Sequence, residues 1–520
     1  MESTQKAPIT FPHISYTSIS KDVQHPVAGR VTGNIPKWLC GSFFRLGPGK
    51  FEVGKQQFDH WFDGFAVIHR YKIKQGAVTY DHKLIQSEGY KSAQRCGQLT
   101  NVGFGTVTYP DPCKSLFHRF MSYFEIPATD NCNVNLMVLG KDMFALTESY
   151  TIQKINERTL DTEESIDIRK YVPLIAQTAH PHTASDGTVY NMGTSVDYRI
   201  RYNIIQIPPK TIKESGVGDL NGASVLSRIT CPGIHPSYFH SFGITSNFIV
   251  FVEQPLTINA FRALTFRLLG NPMDSCLDWN PAKRTYFHLI RRDTGEHLKT
   301  RYSAKAFFTL HHINAFEQDG HVVVDMCCYE NVDVLNFFKI KNMKAGFIPE
   351  TDNKPMRFVL PIMEAENIGT STEQLVTLAG SDARAYLTSF DHVYVEPEMI
   401  SDVSVEVPQI NYASYNGKPY RYFYGLGYGL QTLLKVDIST KTSTSWREVD
   451  WFPSEPIFVE SPNAQQEDEG VILSSVIHLK GEQPPFLLIL DANTFTEVAR
   501  AEIPADVVYG MHGLFVPDCV

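Results

Sequence analysis

Short hydrophobic runs, each bounded by polar turn residues, recur along almost the whole chain. Runs rich in Val, Ile, Tyr and Phe between such turns are typical of β-strands. The clearest runs are FAVIHRYKI, GTVYNMGTSV, NFIVFVEQP, HVVVDMCCY and PFLLILD, and the turns include SDG, TSN, QDG and NGKP. The pattern therefore predicts an all-β fold made of many short strands.

Two segments instead carry apolar residues at helical spacing, with cations beside the apolar stripe. In residues 113–125 the stripe consists of Leu116, Phe117, Phe120, Met121 and Phe124. In residues 255–270 it consists of Ile258, Phe261, Leu264 and Leu268. The flanking cations are Lys114, Arg119, Arg262 and Arg267. These segments predict two amphipathic helices, which either pack on the body of the protein or lie in a membrane interface.

The chain shows no point at which it divides into smaller domains. No Ser/Gly-rich or Pro-rich linker, charge block or low-complexity run interrupts it. We therefore expect a single domain over residues 1–520, with residues 1–25 as an extended N-terminal arm. A β-propeller accommodates so many strands in one domain because its radial repetition leaves only short sheet edges.

Three histidines share one local context, which supports a repeated architecture. His180, His240 and His311 each precede a polar turn that leads into a hydrophobic strand. The intervals between them are about 60 and about 70 residues, close to the length of one blade in seven, about 74 residues. His512 follows after about three further blade lengths. At equivalent places in successive blades, all four side chains would point at the central axis.

Four neutral imidazoles suit zinc, copper, nickel or iron, so residue type alone does not identify the metal. The closely spaced thiolate pairs of structural zinc sites are missing from the sequence. Carboxylates are expected behind such ligands, where they accept the second ring N–H and balance the charge. Glu148, Glu406 and Glu455 lie in apolar, strand-like settings and are the candidates. The alternative interpretation is that the four histidines are ordinary core or surface residues and that the three glutamates are exposed to solvent.

Composition excludes several other classes of function. The net charge of −9 argues against nucleic acid as a partner, since backbone binding needs clustered cations. Nine cysteines without a C-x-x-C pair, and no signal-peptide core, predict a reducing intracellular compartment. No apolar run reaches the length of about 18 residues that a membrane span needs. Phosphate-loop, dinucleotide, nucleophile-elbow and H-E-x-x-H motifs are also missing.

Motifs along the chain resemble those of the animal carotenoid cleavage oxygenases. They include GSFFRLGPGKFEVG, HWFDGFAVIH, YPDPCKSLFHRFMSYF, TAHPH, PSYFHSFGIT, LHHINAFE, VPQINY, PSEPIFV and MHGLF, from about residue 41 to 516. The family includes two β-carotene oxygenases and a retinoid isomerohydrolase. The resemblance implies a seven-bladed β-propeller with a few short helices and loops that cap the face where a substrate tunnel opens.

The resemblance also implies one Fe²⁺ on the axis of the propeller. Carried over by motif, the ligands are His180, His240, His311 and His512, and the supporting carboxylates are Glu148, Glu406 and Glu455. In LHHINAFE the ligand lies three residues before the asparagine, so His311 would face the iron and His312 would point away. Leu310 and Phe65 depart from the residues common in the family, which leaves substrate preference open.

The implied reaction is cleavage of a carotenoid double bond by O2, without a nicotinamide cofactor. Taken together, the motifs are most similar to those of the eccentric-cleaving type. That type acts on the 9′,10′ bond of carotenes and xanthophylls to give apo-10′-carotenoids and ionones. The alternatives are central 15,15′ cleavage of β-carotene to retinal, retinoid isomerohydrolysis, and carotenoid binding without catalysis.

The expected substrate dissolves in lipid and not in water. Segments 113–124 and 256–268 are therefore expected to hold the protein on a membrane surface, with their cations at lipid headgroups. The resemblance implies a mitochondrial location. Because the first 25 residues lack arginine and show no presequence pattern, the cytosol remains the alternative. The oligomeric state is left open.

Overall fold

The computed structural model describes residues 11–19, 21–100, 103–123, 128–209, 220–347, 349, 352–363, 374–389 and 391–518. Seven sheets of four to six strands follow one another along this part of the chain, and neighbouring strands within a sheet are mostly neighbours in sequence. The sheets are the blades of a propeller, so the predicted all-β, seven-bladed fold is confirmed. Residues 1–10 and 20 of the expected N-terminal arm, and Phe124, lie outside the described residues.

In each of the first four blades, the strands follow one another from the outer edge of the sheet to its inner edge. Blade 1 contains Val23–Ala28, Ala77–Leu84, Phe65–Lys74, Gly41–Lys50 and His512–Pro517. Blade 2 contains Thr162–Asp167, Thr151–Ile155, Asp142–Leu146 and Asn135–Leu139. Blade 3 contains Ser224–Thr230, Ile200–Ile207, Val189–Val196 and an inner strand in two pieces, Ala176–Gln177 and His182–Thr183. Blade 4 contains Arg384–Ser389, His392–Glu396, Arg301–Ala304, Thr285–Arg291, Phe248–Glu253 and Gly243–Ile244.

The remaining blades complete the circle, with their strands in the same order. Blade 5 contains Glu398–Met399, Lys354–Pro361, His321–Tyr329 and Phe308–Gln318. Blade 6 contains Thr442–Trp446, Leu433–Asp437, Tyr422–Gly427 and Val405–Gln409. Blade 7 contains Arg30–Gly33, Glu497–Glu502, Phe486–Asp491, Gly470–His478 and an inner strand in two pieces, Trp451–Pro453 and Ile457–Glu460. Two small two-stranded sheets pair Glu52–Val53 with Gln56–Gln57 and Leu256–Ile258 with Leu277–Trp279.

Both ends of the chain close the ring. The C-terminal strand His512–Pro517 pairs with Gly41–Lys50 and becomes the inner strand of blade 1. The N-terminal strand Arg30–Gly33 pairs with Glu497–Glu502 on the outer edge of blade 7. Blades 1 and 7 are thus each assembled from both terminal parts of the chain, which closes the ring of blades.

The hydrophobic core lies in layers between neighbouring blades. One layer contains Phe144 of blade 2 and Ile205 of blade 3, and another contains Val324 of blade 5 and Val252 of blade 4. Because each blade is covered on both faces, its central strands are apolar at almost every position. His321–Tyr329, the HVVVDMCCY run, is buried along its whole length for this reason.

Short helices cap the blades. Among the described residues, the α-helices are Glu88–Cys96, Leu116–Met121, Ala260–Thr265, Asp333–Phe337, Ile340–Ala345 and Tyr412–Tyr415. The 3-10 helices in the same part of the chain are His13–Tyr16, Trp61–Asp63, Ile168–Lys170, Leu220–Gly222, Met273–Cys276 and Tyr428–Leu430.

The helix predicted over 255–270 is wrong at its start. Leu256–Ile258 is a strand, because it pairs with Leu277–Trp279, and Ile258 therefore does not belong to the helical stripe. The helix begins only after Asn259, whose side chain accepts a hydrogen bond from the backbone N–H of Arg262.

Candidate metal centre

The inner strands of several blades are irregular at the positions of the candidate residues. In blade 3, His180 lies in the gap between Ala176–Gln177 and His182–Thr183, which both pair with one neighbouring strand. In blade 7, Glu455 lies in the corresponding gap between Trp451–Pro453 and Ile457–Glu460. Breaks and bulges of this kind change the direction in which a side chain points. They allow these residues to face the axis and not a neighbouring blade.

In blades 5 and 6 a local bulge likewise changes the direction in which the candidate side chains point. The pairing register of Phe308–Gln318 shifts on both sides of His312. In blade 6 the register shifts between Glu406 and Gln409, and Val407 has a φ of 45°. A positive φ is a strained conformation for a β-branched residue. It brings the backbone N–H of Val407 to 2.9 Å from Oε2 of Glu406, which fixes that carboxylate.

The structure brings the four candidate histidines together. His180, His240, His311 and His512 each present one ring nitrogen, and these four nitrogens lie within 4.8 Å of one another. The residues belong to blades 3, 4, 5 and 1, so only the closed ring places them in one site. We call this group the histidine quartet.

Three members of the quartet donate a hydrogen bond from their other ring nitrogen to the three candidate glutamates. Nδ1 of His240 lies 2.5 Å from Oε1 of Glu148, and Nδ1 of His311 lies 2.6 Å from Oε2 of Glu406. Nδ1 of His512 lies 2.7 Å from Oε1 of Glu455. A carboxylate only accepts hydrogen bonds, so each Nδ1 carries the proton and each Nε2 carries a lone pair.

The distance between two of these lone pairs indicates what the site holds. Nε2 of His240 and Nε2 of His311 are 3.2 Å apart, although neither has a proton to share. Two facing lone pairs repel each other unless a cation lies between them and accepts both. The donor chemistry of the quartet therefore suits a metal ion.

His180 has a different neighbour. Its Nδ1 lies 3.4 Å from the side-chain amide nitrogen of Asn135, and its Nε2 lies 2.9 Å from Nε2 of His240. Burial, followed by the neighbouring histidines, lowers the pKa of His180 well below its ordinary value. The ring is therefore neutral at neutral pH and available as a ligand.

The carboxylate of Glu455 is held on every side. Its Oε2 accepts hydrogen bonds from the Arg45 guanidinium at 2.7 Å and from the backbone N–H of Gly513 at 3.0 Å. Its Oε1 accepts hydrogen bonds from His512 and, at 2.9 Å, from the amide of Gln409. Burial by itself would raise the pKa of Glu455, but His512 and Arg45 outweigh burial and lower it to about 2. This carboxylate stays charged and keeps the His512 ring fixed.

Arg45 is the principal residue of the site that sequence reasoning missed. It is only 1% exposed and also donates to the carbonyl of Met511 at 2.8 Å, directly before His512. A signal was present in the sequence: Arg45 is a charged residue inside the apolar run SFFRLG, and such a residue is rarely buried unless it is paired.

His312 lies outside the quartet. Its Nδ1 is 2.8 Å from the hydroxyl of Ser241, and burial lowers its pKa to about 3. The structure therefore places His311 at the axis and its neighbour in packing between blades 4 and 5.

An aromatic cavity of about 310 Å³ adjoins the quartet. Its polar lining includes His240, His311, His512, the three glutamates and the buried Thr147. Its aromatic wall consists of Trp61, Phe62, Phe104, Tyr238, Tyr329, Phe337, Phe338 and Tyr509. This combination suits a large apolar molecule that is held beside a metal.

Exposed apolar side chains lie on the two short helices near the cavity. They are Leu116, Phe117, Phe120 and Met121 on one helix, and Phe261, Leu264, Leu268 and Leu269 on or just after the other. Arg267 joins the two segments by donating to the carbonyl of Ser122 at 2.7 Å. We call these exposed apolar residues the apolar patch. None of the helices in the described residues combines the length and hydropathy that a membrane crossing requires.

Comparison with known proteins identifies the family. Residues 16–517 match the family model described as retinal pigment epithelial membrane protein. The mitochondrial carotenoid-cleaving dioxygenase of Mustela putorius furo is 42% identical, with 94% of each chain covered. The β,β-carotene 15,15′-dioxygenase of Mus musculus is 39% identical, with 96% of this chain and 90% of that protein covered. The chain belongs to the carotenoid cleavage oxygenase family. The predicted resemblance is confirmed.

Solved structures agree with this family fold. Cobalt-substituted Synechocystis ACO superposes with a TM-score of 0.76 at 23% identity, covering 97% of this chain and 98% of that one. An ACO/RPE65 chimera gives a TM-score of 0.74 at 23% identity, covering 96% and 97%. The carotenoid cleavage oxygenase fold thus accounts for nearly the whole chain.

The Arg45–Glu455 ion pair predicts a large effect of Arg45→Met on stability. Removing one partner of a buried pair leaves an uncompensated charge, so the free energy of unfolding should fall by about 3–5 kcal/mol. Arg30 is a matched control, because its side chain is 79% exposed and pairs with Glu502 on the surface. Arg30→Met should cost less than about 1 kcal/mol. Urea unfolding followed by fluorescence measures both, and equal losses would contradict the role given to Arg45.

Proposed function

We propose that the protein is an iron-dependent dioxygenase that cleaves the 9′,10′ double bond of carotenes and xanthophylls with O2. The products are apo-10′-carotenoids and ionones. The observation that carries this proposal is the histidine quartet at the wall of an aromatic cavity. The 42% and 40% identities to mitochondrial carotenoid-cleaving dioxygenases of Mustela putorius furo and Homo sapiens support it.

The quartet would hold one Fe²⁺ through the four Nε2 atoms. The charges support a divalent ion: three carboxylates and one guanidinium leave a net charge of −2 around the quartet. These groups are Glu148, Glu406, Glu455 and Arg45. Imidazole suits several transition metals, and membership of the family supports the choice of iron among them. When bound, Fe²⁺ supplies the redox chemistry that O2 needs to react with an unactivated double bond.

The protein's own residues bind and position the substrate. The aromatic side chains of the cavity exclude water and pack against the polyene, which offers no polar group for recognition along its length. One oxygen atom is added to each carbon of the cleaved bond, giving two carbonyl products, so no general base, nucleophile or external reductant is needed. Which bond reacts depends on the register of the polyene beside the quartet.

Central 15,15′ cleavage of β-carotene to retinal is the second candidate. The 39% and 38% identities to the 15,15′-dioxygenases of Mus musculus and Homo sapiens favour it over the remaining alternatives. Both cleavage sites use the same metal chemistry, so the two candidates differ only in how far the substrate enters the cavity.

Aerobic incubation with β-carotene and, separately, zeaxanthin tests the proposed bond. Iron-loaded protein in detergent should yield apo-10′-carotenoids from both substrates, identified by chromatography and mass spectrometry. Retinal from β-carotene alone would replace the proposal with central cleavage. Lack of any cleavage by iron-bound protein would contradict both, and would favour retinoid isomerohydrolysis or binding alone.

Substitution of the two adjacent histidines tests the metal ligands. His311→Ala removes one of four proposed ligands, so iron per chain should fall below about a tenth of the wild-type value. His312→Ala is the matched control, since His312 contacts Ser241 and lies outside the quartet. It should retain iron near the wild-type level, measured by mass spectrometry of the metal. Equal loss in both variants would refute the assignment of His311.

The apolar patch is proposed to hold the protein on a membrane surface, from which the carotenoid enters the cavity. Met273 and Leu277 line the cavity, and the backbone of nearby Asp274 donates to the carbonyl of Phe104 at 2.7 Å. The cavity wall thus connects to the segment that follows the second helix. The proposed location is the mitochondrion, as the names of the dioxygenase relatives state for those proteins, with the cytosol as the alternative.

Replacement of two exposed residues tests this membrane contact. Phe117 is 68% exposed and Leu264 is 74% exposed, so the double variant Phe117→Ser, Leu264→Ser should fold normally. Losing two side chains that would be buried in the membrane, at about 1.5–3 kcal/mol each, should weaken vesicle binding at least about a hundredfold. Val449→Ser, at a 77% exposed site in another connection, is the control. Unchanged sedimentation of the double variant with phosphatidylcholine vesicles would contradict the proposal.

A further inference from the structure

A second group of potential metal ligands lies outside the quartet. Cys96, Asp111 and Cys113 each present one ligand atom, and these atoms lie within 4.8 Å of one another. Cys96 ends the helix Glu88–Cys96, and Gly97 follows it in the left-handed conformation. Cys113 lies three residues before the helix Leu116–Met121 of the apolar patch. Two separate segments therefore bring the three residues together.

The carboxylate of Asp111 is oriented towards the two cysteines. Its Oδ1 accepts hydrogen bonds from the Cys96 thiol at 3.0 Å and from the backbone N–H of Cys113 at 2.8 Å. Its Oδ2 accepts one from the Ser92 hydroxyl at 2.9 Å and lies 3.7 Å from the Arg95 guanidinium. Ser92 and Arg95 thus hold one oxygen, which leaves the other beside the sulfur atoms. Metal-binding carboxylates are commonly oriented in this way.

The separations approach those of a tetrahedral site. Two sulfur atoms bound to one Zn²⁺ at about 2.3 Å are about 3.8 Å apart, so ligand atoms within 4.8 Å need to move by about 1 Å or less. The charges also match: two thiolates and one carboxylate oppose the ion and the neighbouring Arg95. Thiolate ligands select Zn²⁺ over harder cations such as Mg²⁺ and Ca²⁺.

We propose that Cys96, Asp111 and Cys113 bind Zn²⁺, with a water molecule as the fourth ligand on the exposed side of Cys113. The site would be separate from the proposed catalytic iron.

The bound ion would join the two ends of the segment 97–112. Phe104 in this segment lines the cavity, and its backbone N–H donates to Asp63, which also lines the cavity. After Cys113 the chain continues directly into the exposed helix Leu116–Met121. Zinc would therefore fix the start of this helix of the apolar patch relative to the cavity wall.

Cobalt titration of the reduced, full-length protein tests the site. Thiolate ligands give Co²⁺ a charge-transfer band in the near ultraviolet, and imidazole ligands do not. The quartet contains no sulfur, so the band reports thiolate ligands and not the quartet, whatever becomes of the proposed oxygenase function. One band that saturates and is removed by added Zn²⁺ is expected for the wild-type protein.

Variants of the ligands complete the test. Cys96→Ser and Cys113→Ser should each lose most of the band, and Asp111→Asn should weaken Co²⁺ binding about tenfold or more. Cys40→Ser is the matched control and should keep the full band, because the thiol of Cys40 donates to the carbonyl of Lys37 in another part of the chain.

A wild-type protein without the band, or a band that survives both cysteine substitutions, would overturn the proposal. So would a Cys96–Cys113 disulfide found by mass spectrometry in freshly isolated protein that binds no Co²⁺ after reduction. That result would assign the pair to redox chemistry instead.

Discussion

The facing Nε2 atoms of His240 and His311 are the constraint on which the site depends. Both rings give their Nδ1 proton to a glutamate, and their lone pairs meet at 3.2 Å. Without a cation this arrangement is repulsive, so the rest of the structure must hold it in place. The closed ring does this: the quartet comes from blades 1, 3, 4 and 5, and each blade is fixed by core packing against its neighbours.

The three glutamates around the histidine quartet differ in how deeply they are buried. Glu455 is fully buried and surrounded by donors, including Arg45, so it acts as a rigid support for His512. All three glutamates line the cavity, but the side chains of Glu148 and Glu406 are more exposed, at 30% and 14%, than that of Glu455 at 1%. The accessible surface of the cavity is mostly apolar, and eight aromatic side chains are part of the lining that a bound polyene would meet. This division suits a reaction in which the protein binds the substrate and the ion carries the chemistry.

The propeller fold and the histidine quartet could be predicted from the sequence, because three members of the quartet share one local context. In each case a histidine precedes a polar turn and a hydrophobic strand. The broken and bulged inner strands could not be predicted, since they depend on pairing with residues that are distant along the chain, as at His180 and Glu455. The predicted start of the second helix is wrong for the same reason: Leu256–Ile258 pairs with Leu277–Trp279. The cysteine group was missed because Cys96 and Cys113 lie far apart in sequence and form no C-x-x-C motif.

X-ray absorption at the iron edge, on protein loaded with Fe²⁺ without oxygen, tests the central claim most directly. We expect four nitrogen ligands at about 2.1 Å, the distance of imidazole from a first-row divalent metal, with no sulfur in the coordination sphere. The multiple-scattering pattern of imidazole should also be present. Sulfur at about 2.3 Å, or a sphere made only of oxygen ligands, would contradict the claim that the histidine quartet holds the iron.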